Sequence, residues 1–346
     1  AAPATINPAS YHPDYAPEMI KTAPNRLLTS AQLIGKDKLS GPEDVEAGQN
    51  GLIITGLENG DIASINTKGE INILANTKGR PLGLHHDQDN HLMIADGKMG
   101  LLQLSAEGNL VVLTNSVDGR PLGLVNDLDI AADGTVYFSE SSWKWPLESY
   151  RYDALEARAH GSLLSYNPDT EQTRVVLDGL YYANGVALSA NEDFVLVAET
   201  FRYRIRRYWL SGPKAGSNDL FIDNLPGFPD GISANRQGTF WAALASPRNP
   251  VLDYLHSLPW LKGLITKLPA YLQPQPISYG LILGLNEAGE ITHNLQDSSG
   301  QHLYSISSVQ QVEDRLLIGT LYAHRVGRFH LTGNNLALSD AKRESK

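Results

Sequence analysis

The sequence predicts an all-β fold, a six-bladed β-propeller with a helical insertion over one face. Three observations predict it. Short runs of β-forming residues are bounded by glycine, asparagine and aspartate turns. A unit of such runs recurs roughly every 40 to 60 residues, and about six units fit into the chain. Because a propeller closes its sheet edges by repeating such units around an axis, the pattern favours a propeller over a β-sandwich.

The strand signal is clearest in one apolar run per unit, rich in β-branched or aromatic residues. A second strand and a polar turn follow each run. The runs are GLIITG (51–56), HLMIAD (91–96), TVYFSES (135–141), FVLVAET (194–200), TFWAAL (239–244) and RLLIGTL (315–321).

The predicted organisation is an extended N-terminal arm over residues 1–24, a propeller over 25–335 and a C-terminal tail over 336–346. Within the propeller, residues 247–276 interrupt the strand pattern. Their leucines recur at spacings of three and four, the period of an amphipathic helix, and two prolines divide the segment. This insertion either packs on the propeller face, forms a lid over a central site, or contacts lipid through an apolar surface.

Composition excludes several functions. The chain has no cysteine, so disulfides, thiolate metal sites and cysteine nucleophiles are absent. Its net charge of −10 argues against nucleic acid and against anionic membrane surfaces as partners, because phosphate binding requires a basic surface. The small residues at the N-terminus are typical of the end left after signal-peptide cleavage, which predicts a periplasmic or secreted protein; a trimmed end or an extended arm is the alternative.

Four short sequences each precede an apolar strand in a different unit. By itself, each is a common turn sequence. Because equivalent points of propeller blades converge on one end of the central channel, we expect their oxygen-bearing side chains to face one another. The sequences are GPED (41–44), NDLDI (126–130), ANGVALS (183–189) and PDGI (229–232), and the side chains are Glu43, Asn126, Asn184 and Asp230.

Two carboxylates and two amide carbonyls form a set of hard oxygen ligands that suits Ca²⁺. Zinc would prefer histidine or cysteine. Asp44 and Asp127 directly follow two of the four residues, and neighbours on an extended segment point to opposite sides. They are therefore candidates for a second, structural ion deeper in the channel.

The motifs GPED, GRPLGL, NDLDIAADGTVYFSES, HGSLLSYNP, ANGVALSANEDFVLVAET and LPGFPDGI occur in this order. Together they resemble the strictosidine synthase-like group, also described as adipocyte plasma membrane-associated protein-like, within the gluconolactonase–paraoxonase superfamily of six-bladed propellers. The resemblance implies that Glu43, Asn126, Asn184 and Asp230 bind one catalytic divalent metal, usually Ca²⁺.

Two departures limit what the resemblance implies. Plant strictosidine synthases use a glutamate of the last blade for their Pictet–Spengler condensation, and its counterpart lies near Ser307. Paraoxonases keep a histidine where this chain has Leu82. The hexapeptide GRPLGL itself occurs twice, at 79–84 and 119–124, and we interpret it as a turn that begins two consecutive blades.

We therefore expect a calcium-dependent hydrolase of small lactones or aryl esters, in which the metal polarises the carbonyl at the channel mouth. Glu43 and Asp127 are the candidate general bases by proximity, and His85 and His86 are weaker ones. The alternatives are a binding module with a structural calcium and, in third place, a condensation enzyme. Peripheral membrane contact through 247–276 is a further expectation.

Overall fold

The computed structural model describes residues 6–14 and 23–332, and their longer strands form six four-stranded antiparallel sheets. The predicted six-bladed β-propeller is thereby confirmed. A short strand, β1 (Gln32–Ile34), precedes the first blade. Blade 1 comprises β2 (Val45–Ala47), β3 (Ile53–Gly56), β4 (Asp61–Ile65) and β5 (Ile71–Asn76). Blade 2 comprises β6 (Pro81–His86), β7 (Leu92–Asp96), β8 (Gly100–Leu104) and β9 (Leu110–Thr114).

A two-stranded hairpin of β10 (Ser116–Val117) and β11 (Arg120–Pro121) leads to the next blades. Blade 3 comprises β12 (Leu124–Ile130), β13 (Val136–Ser142), β14 (Gly161–Asn167) and β15 (Gln172–Leu180). Blade 4 comprises β16 (Ala183–Leu188), β17 (Phe194–Glu199), β18 (Arg204–Trp209) and β19 (Asn218–Ile222). Blade 5 comprises β20 (Gly227–Ala234), β21 (Thr239–Pro247), β22 (Gly280–Asn286) and β23 (Ile291–Asp297).

Blade 6 is built from both ends of the described chain. Its inner strands are β24 (Ile306–Val312), β25 (Arg315–Thr320) and β26 (Val326–His330). The outermost strand is β1, which pairs antiparallel with β26 and places Gln32 opposite Arg328. This pairing closes the ring by joining the N-terminal strand β1 to the last blade, and it was not predicted from the sequence.

The first strand of each blade lies innermost, and these six strands contact one another in a ring around the central channel. Glycine is required where they approach most closely. A Cβ atom on Gly185 of β16 would lie 2.2 Å from the backbone nitrogen of Ile232 on β20. The hydrophobic core lies between neighbouring blades; for example, Phe194 and Phe240 join blades 4 and 5 with ring centroids 5.9 Å apart.

The predicted helical insertion is confirmed and lies within the connection between β21 and β22. It contains α2 (Pro250–His256) and α3 (Pro259–Ile265), and a further helix, α1 (Tyr150–Glu156), lies between β13 and β14. Asn249 caps α2, because its side chain accepts hydrogen bonds from the backbone nitrogens of Val251 and Leu252. Single 3₁₀ turns span Leu27–Ser30, Gln49–Gly51, Leu147–Ser149, Thr200–Arg202, Gly212–Lys214 and Ala270–Leu272.

The described part of the N-terminal arm bridges α1 and the insertion. The Ala9 nitrogen donates to the Glu156 carbonyl at 2.8 Å, and the Tyr11 nitrogen donates to the His256 carbonyl at 2.9 Å. Lys262 of α3 donates in turn to the Ala9 carbonyl at 2.6 Å. The rest of the predicted arm, apart from residues 23 and 24, and the predicted tail over 336–346 lie outside the described residues. Among the helices of the described chain, none has the length and apolar character needed to cross a bilayer.

Candidate metal centre at the channel mouth

Bulges at equivalent points of the innermost strands position the candidate site. In blades 2 to 6 the pairing of the first and second strands shifts register near one end of the channel. A bulge turns a side chain out of the regular alternation, and here it turns one residue per blade towards the channel axis. In blade 1 the equivalent residue, Glu43, lies two residues before the start of the innermost strand. The six positions, which we call the upper ring, are Glu43, Leu82, Asn126, Asn184, Asp230 and Ser307.

The structure brings the four predicted ligands together. Glu43, Asn126, Asn184 and Asp230 are buried and line one cavity of about 170 Å³. The side-chain nitrogen of Asn184 donates to Asp230 Oδ1 at 2.5 Å, so these two side chains are in direct contact. Metal binding by the four residues stays a prediction, since their proximity does not test it.

Two hydroxyl groups orient the amides. Ser141 donates its hydroxyl hydrogen to the Ala183 carbonyl and accepts from the side-chain nitrogen of Asn126 at 2.9 Å. Thr200 likewise donates to the Pro229 carbonyl and accepts from Asn184 at 3.3 Å.

The amide nitrogens therefore face the second strands, and within residues 6–14 and 23–332 no donor hydrogen-bonds to either amide oxygen. Both oxygens are thus available to a ligand. Ser141 and Thr200 were not predicted from the sequence. The sequence feature that could have identified them is an acidic residue followed by a hydroxyl residue, at the ends of the segments FSES (138–141) and VAET (197–200).

The two carboxylates experience a strongly unfavourable environment. Burial, and then the nearby Asp230, raises the pKa of Glu43 well above its ordinary range, and Arg80 only partly offsets this. Burial likewise raises the pKa of Asp230 to about 7, although the hydrogen bond from Asn184 lowers it. A bound divalent cation would remove this repulsion, so the charge of the site fits such an ion.

The chemistry of the ligand set also favours calcium over softer metals. Across the described part of the chain, no three His, Cys, Asp or Glu side chains form a cluster that could hold a metal ion. The candidate centre therefore depends on its two amide oxygens as much as on its two carboxylates. Such an all-oxygen set is the kind that Ca²⁺ accepts.

Asp44 and Asp127 connect neighbouring blades. Asp44 Oδ2 accepts the backbone N–H of Leu84 in the next blade at 2.7 Å, and Asp127 Oδ2 accepts that of Val186 at 2.8 Å. Each carboxylate also accepts the N–H of the residue that follows it. Asp127 does not line the cavity. A second ion at these residues, and a catalytic role for Asp127, stay predictions that these contacts do not support.

The two departures from the resemblance fall on the upper ring. Leu82 lines the cavity, and Ser307 donates its hydroxyl hydrogen to the Glu43 carbonyl at 2.6 Å. The interpretation of GRPLGL as an equivalent turn in both copies is wrong. Leu82, the fourth residue of the first copy, occupies the bulge that corresponds to Asn126, whereas the fourth residue of the second copy follows the β10–β11 hairpin, outside the blade.

The walls of the cavity are apolar. Tyr182 and Phe201 pack with ring centroids 4.5 Å apart, and Phe228 extends this aromatic wall. Ala154 of α1 and Leu252 of α2 contribute from above. The insertion therefore borders the cavity, which is the position that a lid requires.

The candidate histidines lie away from this cavity, further along the innermost strands. His85 lies between Glu46 and Asp129, with nitrogen–oxygen distances of 3.5 and 3.6 Å. Arg236 pairs with Asp129 at 2.8 Å. We call this group the lower cluster: Glu46, His85, His86, Asp129, Glu192, Arg236 and Gln310.

Comparison with solved structures defines the class. The fold resembles a gluconolactonase of Xanthomonas campestris, with a TM-score of 0.64, 17% identity and coverage of 95% of this chain and 97% of that one. It also resembles the calcium-binding protein regucalcin of Agrobacterium tumefaciens, with a TM-score of 0.58, 13% identity and coverage of 91% and 94%. At these identities the likeness shows the fold alone, a six-bladed β-propeller.

Sequence comparison gives the particular family. The profile for strictosidine synthase matches residues 126–213, and that for the N-terminal part of strictosidine synthase-like proteins matches residues 22–65. The adipocyte plasma membrane-associated protein of Salmo salar is 36% identical over 322 residues, covering 86% of this chain and 77% of the relative. The chain belongs to this strictosidine synthase-like family, and the resemblance found in its motifs is confirmed.

Proposed function

We propose that the protein is a calcium-dependent hydrolase of small lactones or aryl esters. The observation that carries the proposal is the pair of buried carboxylates, Glu43 and Asp230, beside two amide oxygens at the floor of an apolar cavity. The gluconolactonase and the calcium-binding regucalcin with the same fold support it by analogy.

In this proposal Glu43, Asn126, Asn184 and Asp230 hold the ion, which supplies Lewis-acid polarisation of the substrate carbonyl when bound. Ser141 and Thr200 keep the amide oxygens turned towards it. Tyr182, Phe201 and Phe228 bind the apolar part of the ester and exclude water from its remaining faces.

Glu43 is the residue best placed to accept a proton. Its carboxylate lines the cavity and, among the described residues, it receives no hydrogen bond from a donor of the chain. In the proposed step a water molecule forms a bond to the carbonyl carbon, Glu43 takes its proton, and the bond to the alcohol or phenol oxygen breaks. The released oxygen takes the proton back, so charge and atoms balance.

A periplasmic or secreted location belongs to the same proposal. Four protein ligands with two negative charges form a modest calcium site. Such a site suits the higher calcium concentrations at which extracellular modules bind.

The test is hydrolysis of phenyl acetate and of a γ-lactone by the full chain, before and after chelation and with calcium restored. We expect turnover that chelation abolishes and that calcium, rather than magnesium, restores. Asn184→Ala should lose activity and calcium affinity together, because it removes one ligand. Asn109→Ala, which changes an exposed turn asparagine between β8 and β9, is the matched control and should behave as the wild type.

One observation favours the alternative, a binding module with a structural calcium. No histidine is present among the described residues that line the cavity, so a histidine base is missing. Calcium-dependent stability without turnover on any ester or lactone would contradict the hydrolase and support the binding module.

A further inference from the structure

The two helices of the insertion are apolar on both faces. Leu255 of α2 and Ile265 of α3 are buried and pack with Leu155 of α1. On the outer side, Tyr254 is 67% exposed and Trp260 is also 67% exposed. A helix that is apolar all round is normally covered on all sides, yet the described chain leaves this outer side uncovered.

The exposed apolar residues of the insertion are concentrated in one short stretch of chain, residues 251–272. Isolated exposed apolar residues are ordinary, and this protein has several on the outermost strands of different blades. The insertion differs because large apolar side chains follow one another on the two helices and the turn after them. We call these residues the outer patch: Val251, Tyr254, Trp260, Leu264, Leu268, Tyr271 and Leu272.

The charge around the outer patch is opposite to that of the whole protein. The net charge of the chain is −10, but the one acid between residues 251 and 272 is Asp253, which is half-buried and accepts the hydroxyl hydrogen of Tyr203 at 2.6 Å. Lys267 is exposed within this stretch, and Arg158, which is also exposed, lies close enough to Lys262 of α3 to lower the pKa of that lysine. An anionic surface would therefore not be repelled here as it would be elsewhere on the molecule.

We propose that the outer patch docks on an anionic lipid surface. Tryptophan and tyrosine suit the boundary between head groups and acyl chains, because each has an apolar ring and a polar hydrogen-bonding atom. Leucine and valine beside them insert into the acyl region, and Lys267 pairs with a lipid phosphate or carboxylate. The combination is that of an interfacial segment, which lies on a membrane and does not cross it.

The geometry gives this contact a further consequence. The insertion residues Leu252 and Gln273 line the cavity, and the outer patch belongs to the same segment of the chain. Docking would therefore place the mouth of the cavity next to lipid. The proposal stands without the hydrolase activity, because it rests on the exposed face alone.

Flotation of the full chain with lipid vesicles tests the proposal. We expect binding to vesicles of phosphatidylcholine that contain phosphatidylserine, and weaker binding to phosphatidylcholine alone. The double variant Trp260→Ser, Tyr271→Ser should lose at least about tenfold in vesicle affinity, since it removes the two largest exposed rings. Lys267→Glu should weaken binding only to the anionic vesicles.

The matched control is Val111→Ser with Val112→Ser on β9, where the side chains are 48% and 46% exposed. It removes exposed apolar surface elsewhere and should leave vesicle binding unchanged. The four side chains changed in these two double variants are exposed, so both variants should fold. Circular dichroism checks that they do. Absence of wild-type binding to either vesicle, or equal binding by the Trp260 and Tyr271 variant, overturns the proposal. Self-association in light scattering that this variant removes would overturn it in favour of a second copy of the chain.

Discussion

The two ends of the central channel carry similar residues in opposite electrostatic states. At the upper ring, Glu43 and Asp230 line the same cavity, both have raised pKa values, and little positive charge compensates them. In the lower cluster, burial raises the pKa of Glu46, but the charge and hydrogen bond of His85, together with the hydrogen bonds from His86, lower it to about 2. Burial lowers the pKa of His85, but the nearby Glu46 and then Asp129 have the larger combined effect and raise it to about 9.

The difference separates a binding site from a structural joint. The lower cluster pairs its own charges and connects all six blades, because Glu192 belongs to blade 4 and Gln310 to blade 6. In the upper ring, the described residues offset the negative charge of Glu43 and Asp230 only in part, through Arg80. A buried acid pair without a partner costs stability, and such sites are where proteins place ligands.

The largest expected effect is on calcium affinity. Asp230→Asn should lower calcium affinity and hydrolysis about 100-fold or more, because it removes one of two negative ligands. Asp129→Asn, the same change in the lower cluster, should leave both unchanged per folded molecule. Calorimetric titration and ester turnover measure the two quantities. Equal losses in both variants would mean that the two ends do not differ in function.

Calcium should stabilise the folded protein through the upper ring. At a free concentration of about 100 times the Kd, binding contributes about 2.7 kcal/mol, or roughly 5 °C in Tm for a chain of this size. Thermal unfolding with and without calcium measures the shift. Asp129→Asn should retain the shift and Asp230→Asn should lose it; a shift retained by Asp230→Asn would place the ion elsewhere.

In chelator, the same two substitutions should change stability in opposite directions. Asp230→Asn relieves the repulsion with Glu43 and should raise the free energy of unfolding by on the order of 1 kcal/mol. Asp129→Asn weakens the contact with Arg236 and should lower it by about 1 to 2 kcal/mol. Urea denaturation measures the change in the free energy of unfolding of each variant. Two changes of the same sign would contradict the proposed difference between the upper ring and the lower cluster.

The smallest expected effect is a pH dependence from His85, which lines a surface pocket together with His86, Glu192 and Arg236. Its pKa is above the ordinary 6.5, so its contribution is fully present below pH 6.5 and is lost as the pH rises through about 9. The pKa of Glu46 is below 4.5, so its contribution is lost as the pH falls through about 2. The stability difference between wild type and His85→Gln should be greatest between pH 4.5 and 6.5. It should stay small, since 35% of the His85 side chain is exposed.

Much of the fold was predictable because strand periodicity is a local property. The runs at 91–96 and 194–200 contain β7 and β17, and their recurrence gave the blade count. The pairing of β1 with β26 was missed because Gln32 and Arg328 are distant in sequence, and a three-residue strand has almost no periodic signal.

The grouping of the four candidate ligands was predictable from turns that recur at one point of the blade and from the family resemblance. The two copies of GRPLGL show that identical sequence does not guarantee an equivalent position in a blade. Identical hexapeptides were expected to adopt equivalent positions, but β10 and β11 add a hairpin before the third blade and displace the second copy from the bulge. The roles of Ser141, Thr200, Asp44 and Asp127 depend on contacts between strands and blades, which a linear pattern does not contain.

The pairing of β1 with β26 also sets the order of assembly. Gln32 can meet Arg328 only after every intervening blade has been synthesised, so the ring closes late and through a contact of very large sequence separation. Until β1 docks, β26 presents an unpaired edge that another chain can extend. The three residues of β1 therefore complete the sixth blade and also cover the edge of β26, which protects the closed ring from aggregation.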